Sequence, residues 1–341
     1  MRVGWLFVAL GGAGALGCGA SDEDARVAGP ASLSDEADPA QQGDDQVVSG
    51  EAMQLTPEPT LEAGRYVFRM GDIELVVDPA IGGRITRFSL AGENILTGPE
   101  VVAGGEGSLP NMYGSTFWTS PQSAWGWPPE VALDSAAQRA IVAGAVLELA
   151  SDPGETTGYS VTKRFWTDAA RDVVTIEYSI ENQSASLPAA PWEISRVPKE
   201  GFVFFAAAAP ALPQSTLPSS LVDGIAWIDI ALAPSEDSKL FQDGGEGWLA
   251  YVYRDLVFIK TFDDLPANAA APEEAEIEIF VNGKYDYVEI EQQGAYVLPP
   301  AGSATSWRVS WRLERLPAGM AARVGSAELV AWVRSRVASM R

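Results

Sequence analysis

The sequence has 341 residues with no histidine and one cysteine, and its 46 acidic and 23 basic side chains give a formal net charge of -23. These counts exclude a Ser-His-Asp triad, a Cys-His pair, a disulfide and a zinc site built from cysteine and histidine. The negative charge also argues against nucleic acid as a partner, because a protein surface that binds nucleic acid must neutralise its phosphates.

The start of the chain has the pattern of a signal peptide over residues 1–17. A short positive segment is followed by an apolar stretch and then by small residues. The stretch from Ala15 to Cys18 resembles the lipobox of bacterial lipoproteins, which implies lipidation of Cys18 and anchoring in the bacterial cell envelope. Gly19 favours the outer membrane, since the acidic residue that retains enteric lipoproteins at the inner membrane is missing. An ordinary secretory signal with a chance cysteine is the alternative.

Three further regions follow the signal segment. Residues 18–54 are rich in acidic, small and polar side chains and poor in large apolar ones, which predicts a disordered acidic tether. A folded domain is expected over 55–324. Residues 325–341 are predicted to form a short helix, capped by Ser326 and apolar along one face.

The folded region has strand patterns throughout. Val174, Ile176, Tyr178 and Ile180 alternate with polar residues, which is the period of a half-buried strand. Further predicted strands lie at 65–70, 73–78, 84–90, 158–167, 202–206, 225–232, 248–262, 276–282, 285–291, 295–298 and around Trp307 to Leu313. More than ten strands separated by turn residues indicate an all-β fold, a large antiparallel sandwich or barrel.

Three segments carry a family resemblance. The Gly-Gly turn within 73–85, followed by 92–96, resembles the opening of galactose-mutarotase-like domains. The Trp-Pro block at 117–129 and the late segment 287–303 resemble a domain family of unknown function, DUF4380, that is placed among the mutarotase-like folds. The resemblance covers 65–316 and implies a single antiparallel β-supersandwich with a carbohydrate-facing surface.

This sequence departs from aldose epimerases in its chemistry. That family uses a histidine as acid and a glutamate as base, and no histidine is present here. A glutamate remains at Glu289 or Glu291 in the expected late region. The resemblance therefore implies the fold without implying mutarotation.

The Trp-Pro block supplies the first candidate binding residues. Trp118, Trp125 and Trp127 are predicted to lie in a loop, where aromatic rings can stack on sugar C–H faces, and Gln122 can bind hydroxyl groups. The alternative is that the tryptophans plug one end of the sandwich.

Glu193 and Arg196 are candidates on a second segment. On a strand, Trp192 and Arg196 share one side and Glu193 lies on the other. A buried Glu193 would have the raised pKa that an acid catalyst needs, and Arg196 could bind a substrate. The alternative is an ion pair at the rim.

Glu289 and Glu291 are predicted to point to one face together with Tyr285 and Tyr287. Glu289 is the candidate catalytic base, and Glu291 a candidate substrate ligand. Two carboxylates on one face could share acid–base work or hold a divalent cation such as Ca²⁺. The alternative is a solvated edge. The segment 243–247 could be a calcium loop, although a flexible turn is preferred.

These observations leave three hypotheses. The first is a lipid-anchored, monomeric envelope protein that binds a carbohydrate or glycan without catalysis. The second is a carbohydrate-active enzyme, either an epimerase, a lyase or a hydrolase, that uses carboxylates in place of histidine. The third is a structural envelope lipoprotein. None of them calls for an organic cofactor.

Overall fold

The computed structural model describes residues 58–102 and 112–341, all within one compact unit. The predicted signal peptide, the lipidation site at Cys18 and the predicted acidic tether lie outside the described residues. Within the described ranges, no helix combines the length and the apolar character that crossing a membrane requires.

The described ranges contain twenty strands, numbered here in chain order. Strands β1 to β10 are Thr60–Glu62, Arg65–Met70, Ile73–Asp78, Arg84–Leu90, Glu93–Asn94, Ser115–Ser120, Arg139–Ala143, Val146–Ala150, Tyr159–Asp168 and Val173–Asn182. Strands β11 to β20 are Ala190–Pro198, Phe202–Ala207, Ser220–Val222, Ile225–Asp229, Ser238–Gln242, Gly244–Tyr253, Leu256–Phe262, Ile277–Val281, Tyr287–Gln293 and Ala304–Arg315.

The strands form two ten-stranded antiparallel sheets. The front sheet has the order β1-β2-β3-β4-β6-β11-β19-β18-β15, with β5 beside β4. The back sheet has the order β13-β14-β12-β16-β17-β20-β10-β9-β8-β7. This arrangement confirms the predicted all-β sandwich, because neighbouring strands pair antiparallel and no βαβ crossover occurs in the described chain.

Apolar side chains from both sheets form the core between them. Phe88 on the front sheet packs against Phe258 and Trp311 on the back sheet, with ring centroids 5.5 and 5.4 Å apart. Phe117 stacks on Tyr178 at 4.5 Å. The alternating strand predicted around Tyr178 is β10, and its apolar positions are the ones buried in this core.

A charged network bridges the two sheets inside this core. Glu193 on β11 accepts hydrogen bonds from Lys260 Nζ at 2.9 Å, Tyr178 Oη at 2.6 Å and Trp311 Nε1 at 3.0 Å. Gln292, beside it on β19, also donates to the carboxylate. Burial lowers the pKa of Lys260, and the charge of Glu193 opposes that shift. The polar partners compensate for the desolvation of both charges.

Two α-helices complete the described chain: α1 at Val131–Asp134 and α2 at Ala327–Met340. The Ser326 hydroxyl accepts the backbone N–H of Leu329 at 3.2 Å, which confirms the predicted cap of the C-terminal helix. The buried residues of α2 are Leu329, Val330, Val333, Val337 and Met340.

Some local predictions were wrong. The predicted strand at 295–298 is reduced to one bridge between Val297 and Ala189, since two prolines follow directly and cannot donate to a ladder. Trp118 lies in strand β6 instead of a loop, because Gly114 and Pro121 flank the strand and do not interrupt it. The segment 243–247, expected as a flexible turn, includes the start of β16.

We predict that Glu193→Ala lowers the free energy of unfolding by about 3–5 kcal/mol, because it leaves the ammonium of Lys260 buried without a counter-charge. Denaturant unfolding at pH 7 measures the change. The control is Glu62→Ala, which breaks an exposed ion pair with Arg69 and should leave stability nearly unchanged. Equal losses in the two variants would contradict the proposed role of the buried pair.

Candidate functional site

The outward face of the front sheet collects most of the predicted site residues. In the strand register, Arg196 pairs with Glu289, Ile194 with Glu291, and Trp192 with both Trp118 and Gln293, so their side chains leave the sheet on the same side. Strands β18 and β15 extend this face. We call the following residues the outer-face cluster: Trp118, Trp192, Arg196, Lys239, Glu278, Glu289, Glu291 and Gln293.

An ion pair lies at one end of the cluster. Arg196 Nε is 2.8 Å from Glu289 Oε1, and the two side chains are 0% and 9% exposed. The guanidinium lies over the ring of Trp118, 5.4 Å from its centroid, and its Nη2 is 3.6 Å from Met112 Sδ. These contacts hold the charged groups of Arg196 and Glu289 in fixed positions.

A lysine between two carboxylates lies at the other end. Lys239 Nζ is 2.5 Å from Glu278 Oε2 and 3.2 Å from Glu291 Oε2. The ammonium also lies over the rings of Trp192 and Phe241, at 5.0 and 5.2 Å from their centroids. The surroundings of Lys239 are therefore those of a cation-binding site, with carboxylates on one side and aromatic faces on the other.

The carboxyl groups of this end have shifted pKa values. Burial raises the pKa of Glu291 to about 7, against the opposing effect of the Lys239 charge, and Glu289 adds to the rise. Burial also raises the pKa of Glu278 well above its ordinary value. A carboxyl group that titrates near neutral pH can donate or accept a proton under physiological conditions.

Asp134, at the end of α1, fixes the ring of Trp118. Its Oδ1 accepts hydrogen bonds from Trp118 Nε1 at 2.9 Å, Thr116 Oγ1 at 3.0 Å and Arg84 Nη2 at 3.0 Å. The indole can therefore turn only if it breaks a hydrogen bond to a buried, charge-assisted acceptor. Trp118 is 5% exposed, so its ring packs against neighbouring side chains and offers little surface to a ligand.

Trp125 and Trp127 pack on the outer side of Trp118. Their ring centroids lie 5.6 and 6.1 Å from that of Trp118, in edge-on arrangements. Trp125 Nε1 donates a hydrogen bond to the carbonyl oxygen of Thr119 at 2.7 Å. The crevice between Trp118 and Trp125 is too narrow for a water molecule. Trp127 is 47% exposed, so it is the ring of the three that a ligand can reach most easily.

Gln122 and Glu193 stand apart from the other candidates. Gln122 is half-buried in a 3₁₀ turn, Gln122–Ala124, and its backbone N–H donates to Glu274 Oε1 at 3.1 Å. Glu193 lies on the inner side of β11 and is completely buried between the sheets, as a counter-charge for Lys260. This corrects the expectation that Glu193 acts on a ligand as an acid catalyst. The alternative, an ion pair, does form, but it lies inside the core instead of at the rim.

Sequence reasoning missed four residues of this region: Lys239, Glu278, Gln293 and Asp134. Glu278 lies between two isoleucines on β18, and Gln293 continues the face of Glu289 and Glu291 along β19, so alternation could have found these two. Lys239 lies between Ser238 and Leu240 on β15 and gives a weaker signal. Asp134 carries no signal, because only the folded chain brings it beneath Trp118.

The sequence left open whether Glu289 and Glu291 hold a divalent cation. Within the described residues, no group of three or more acidic, histidine or cysteine side chains is arranged to hold a metal ion. Glu289 is paired with Arg196, and Glu291 with Lys239, so each carboxylate already contacts a cation of this chain.

Comparison of the sequence with protein-family models gave no match, and neither did comparison with curated proteins. The solved structure of the Slr1438 protein from Synechocystis sp. PCC 6803 is similar, with a TM-score of 0.54 and 15% identity over 78% of this chain and 99% of that one. A TPR-domain containing protein from Parabacteroides distasonis matches with a TM-score of 0.52 and 12% identity, over 77% of this chain and 49% of that one.

A galactose mutarotase-like protein from Clostridium acetobutylicum is also similar, with a TM-score of 0.46 and 10% identity over 78% of this chain and 100% of that one. Identities this low concern the fold alone. The two likenesses above a TM-score of 0.5 agree with the antiparallel two-sheet sandwich described here. Membership of the DUF4380 family stays a prediction.

We predict that titration of the Glu291 carboxyl group lowers the free energy of unfolding as the pH rises from 5 to 8. The folded state keeps a proton on this carboxyl up to about pH 7, whereas the unfolded chain loses it near its ordinary value of 4.5. Raising the pH through this range therefore favours unfolding. Glu291→Gln, which mimics the protonated group, should lose less stability over the same range.

Denaturant unfolding at pH 5 and pH 8 measures both slopes. Glu155→Gln, at an exposed position, serves as the control and should follow the wild type. If Glu291→Gln also follows the wild type, Glu291 does not titrate in this range.

Proposed function

We propose that this chain is a lipid-anchored protein of the bacterial cell envelope whose outer-face cluster binds a carbohydrate or glycan. The observation that carries the proposal is the exposed ring of Trp127, which packs on Trp118, the same ring that the guanidinium of Arg196 lies over. Arg196 with Glu289, and Lys239 with Glu291, are held within hydrogen-bonding distance of each other. Aromatic faces together with a few fixed polar groups are the usual composition of a small-ligand site.

Sugars match this composition for a physical reason. Their C–H faces are apolar and stack on aromatic rings, while their hydroxyl groups need donors and acceptors that are already in place. Trp118 is buried and braced by Asp134, so the stacking role falls to the exposed Trp127 and the half-buried Trp125. The guanidinium of Arg196, paired with Glu289, supplies a donor and an acceptor beside Trp118, on which both of these rings pack.

The cellular setting is inferred from the first 19 residues. The lipobox-like segment ending at Cys18 supports lipidation, which would tie the protein to a membrane, and Gly19 favours the outer membrane. Nucleic acid is an unsuitable partner for a chain with a net charge of -23. We propose a monomer that meets its ligand outside the cytoplasm.

One observation favours an enzyme as the second candidate. Glu291 has a pKa of about 7 and lies two residues from Glu289 on the same face of β19, so this pair could exchange protons with a bound sugar. Such an enzyme would be an epimerase, lyase or hydrolase that works without histidine. The structural alternative is favoured by the close packing of Trp118 against Trp125.

We predict that the protein binds small saccharides with millimolar to micromolar affinity and that Trp127→Ala weakens binding about tenfold. Loss of one stacking ring costs roughly 1–1.5 kcal/mol, which corresponds to about that factor. Isothermal titration with cellobiose, maltotriose and N,N′-diacetylchitobiose measures the affinity. Polarimetry on the same mixtures reveals turnover, which would favour the enzyme.

The control for this titration is Trp166→Ala, which removes a half-buried tryptophan from the back sheet, beneath Arg308 and away from the cluster. It should bind as the wild type does. Absence of binding to all three saccharides would leave the structural alternative as the better explanation, and equal losses in both variants would move the binding site elsewhere.

Lipidation is tested separately. We predict that the full chain expressed in Escherichia coli incorporates radiolabelled palmitate and sediments with membranes, and that Cys18→Ser abolishes both results because the thiol is the acceptor of the lipid. Labelling that persists in Cys18→Ser would contradict the anchor. Secretion of an unlabelled wild-type chain would support the ordinary signal peptide.

A further inference from the structure

The outer-face cluster has more acidic than basic groups. Glu278, Glu289 and Glu291 belong to it, and Glu274 lies close enough to act electrostatically on both Glu278 and Lys239. Arg196 and Lys239 are the basic side chains that contact these carboxylates in the described structure. The surroundings of the cluster therefore favour an additional positive charge.

Two buried acceptor atoms of the cluster have neither a hydrogen-bond donor nor an ion-pair partner. Glu291 Oε1 and Gln293 Oε1 belong to residues with 0% exposure, and neither atom has a partner within residues 58–102 and 112–341. The orientation of the Gln293 amide is set, because its Nε2 donates to Glu278 Oε1 at 2.7 Å. Its carbonyl oxygen is thus left as an acceptor, on the same side of β19 as Glu291.

Unpaired buried acceptors are costly, and only a donor can relieve that cost. A neutral hydroxyl supplies one donor, whereas an ammonium group supplies three and also carries the charge that the carboxylates favour. The chain itself provides the example, since the ammonium of Lys239 is held here by Glu278 and Glu291 and by the faces of two aromatic rings.

Access to these acceptors lies beside Lys239. Its side chain is 22% exposed, and the neighbouring Phe241 and Phe280 are half-buried, so this part of the cluster reaches the surface. A ligand that brings its own cation would replace the ammonium of Lys239 at Glu291, and the flexible stem of the lysine allows this displacement.

We propose that the outer-face cluster binds the ammonium group of an amino-bearing saccharide at Glu291 and Gln293, beside Lys239. This inference rests on the proposed carbohydrate binding and names its ligand class. A primary amine on the sugar ring donates to Glu291 Oε1 and Gln293 Oε1, while the ring lies against the aromatic side chains. Acylation of that amine removes its charge and two of its donors, so the acetylated sugar should bind less well.

Three disaccharides with the same backbone test the inference: chitobiose with free amines, N,N′-diacetylchitobiose and cellobiose. They share β-1,4-linked glucose rings and differ at carbon 2, which carries an ammonium, an acetamide or a hydroxyl. Isothermal titration of the wild-type protein at pH 7, where Glu291 is partly ionised, should give an affinity for the free amine at least about tenfold higher than for the other two, and the difference should shrink in high salt.

Variants separate the proposed contact from general attraction to an acidic protein. Glu291→Gln should remove most of the preference for the amine, measured as the ratio of the affinities of that variant for chitobiose and for cellobiose. Gln293→Met removes the second acceptor without changing the charge and should reduce the preference by a smaller factor. Glu155→Gln removes one exposed negative charge and should retain the full preference. Circular dichroism establishes that each variant is folded, and Gln293→Met carries the test if Glu291→Gln is not.

Each outcome has a separate meaning. Equal affinity for the three disaccharides would overturn the ammonium site while leaving carbohydrate binding intact. No binding of any disaccharide would overturn both proposals. A preference for the amine that survives unchanged in both Glu291→Gln and Gln293→Met would place the cation elsewhere on the acidic surface and overturn the assignment to this cluster.

Discussion

The buried ion pair of Glu193 and Lys260 is the polar contact that joins the two sheets inside their apolar core. The two residues are 67 positions apart in sequence and lie on different sheets, so the pair forms only when the sandwich closes. Tyr178 and Trp311 add hydrogen bonds to the same carboxylate. A charge in this position requires its partner, which restricts the ways in which the sheets can be apposed.

The same strand that carries this pair also presents the candidate site. Along β11, Glu193 points into the core, whereas Trp192 and Arg196 point outward, because successive side chains alternate between the faces of a sheet. Trp192 and Arg196 therefore project from a strand whose position is fixed by the core contacts of its opposite face. Binding groups on a rigid strand keep their geometry better than groups on a mobile loop.

Alternation within single strands could be predicted from the sequence, and it correctly put Glu289 and Glu291 on one face. The pairing of distant strands could not be predicted in this way. Lys239 and Glu278 join these glutamates only through the order β19-β18-β15, which depends on the global packing of the sheet. The prolines and glycines around Trp118 predicted a loop, although its backbone pairs with β11 and makes it part of the sheet.

The two-sided character of β11 has a consequence for how such a protein can diversify. Inserting or deleting one residue within Ala190–Pro198 would exchange the inward and outward positions beyond that point, sending Arg196 into the core. Changes of length are therefore confined to connections such as the one that carries Trp127. Ligand preference can evolve by single substitutions at alternate positions of β11 and β19, since these leave the inward-facing half of each strand untouched. Within each strand, the outward-facing residues can therefore be substituted more freely than the inward-facing residues that alternate with them.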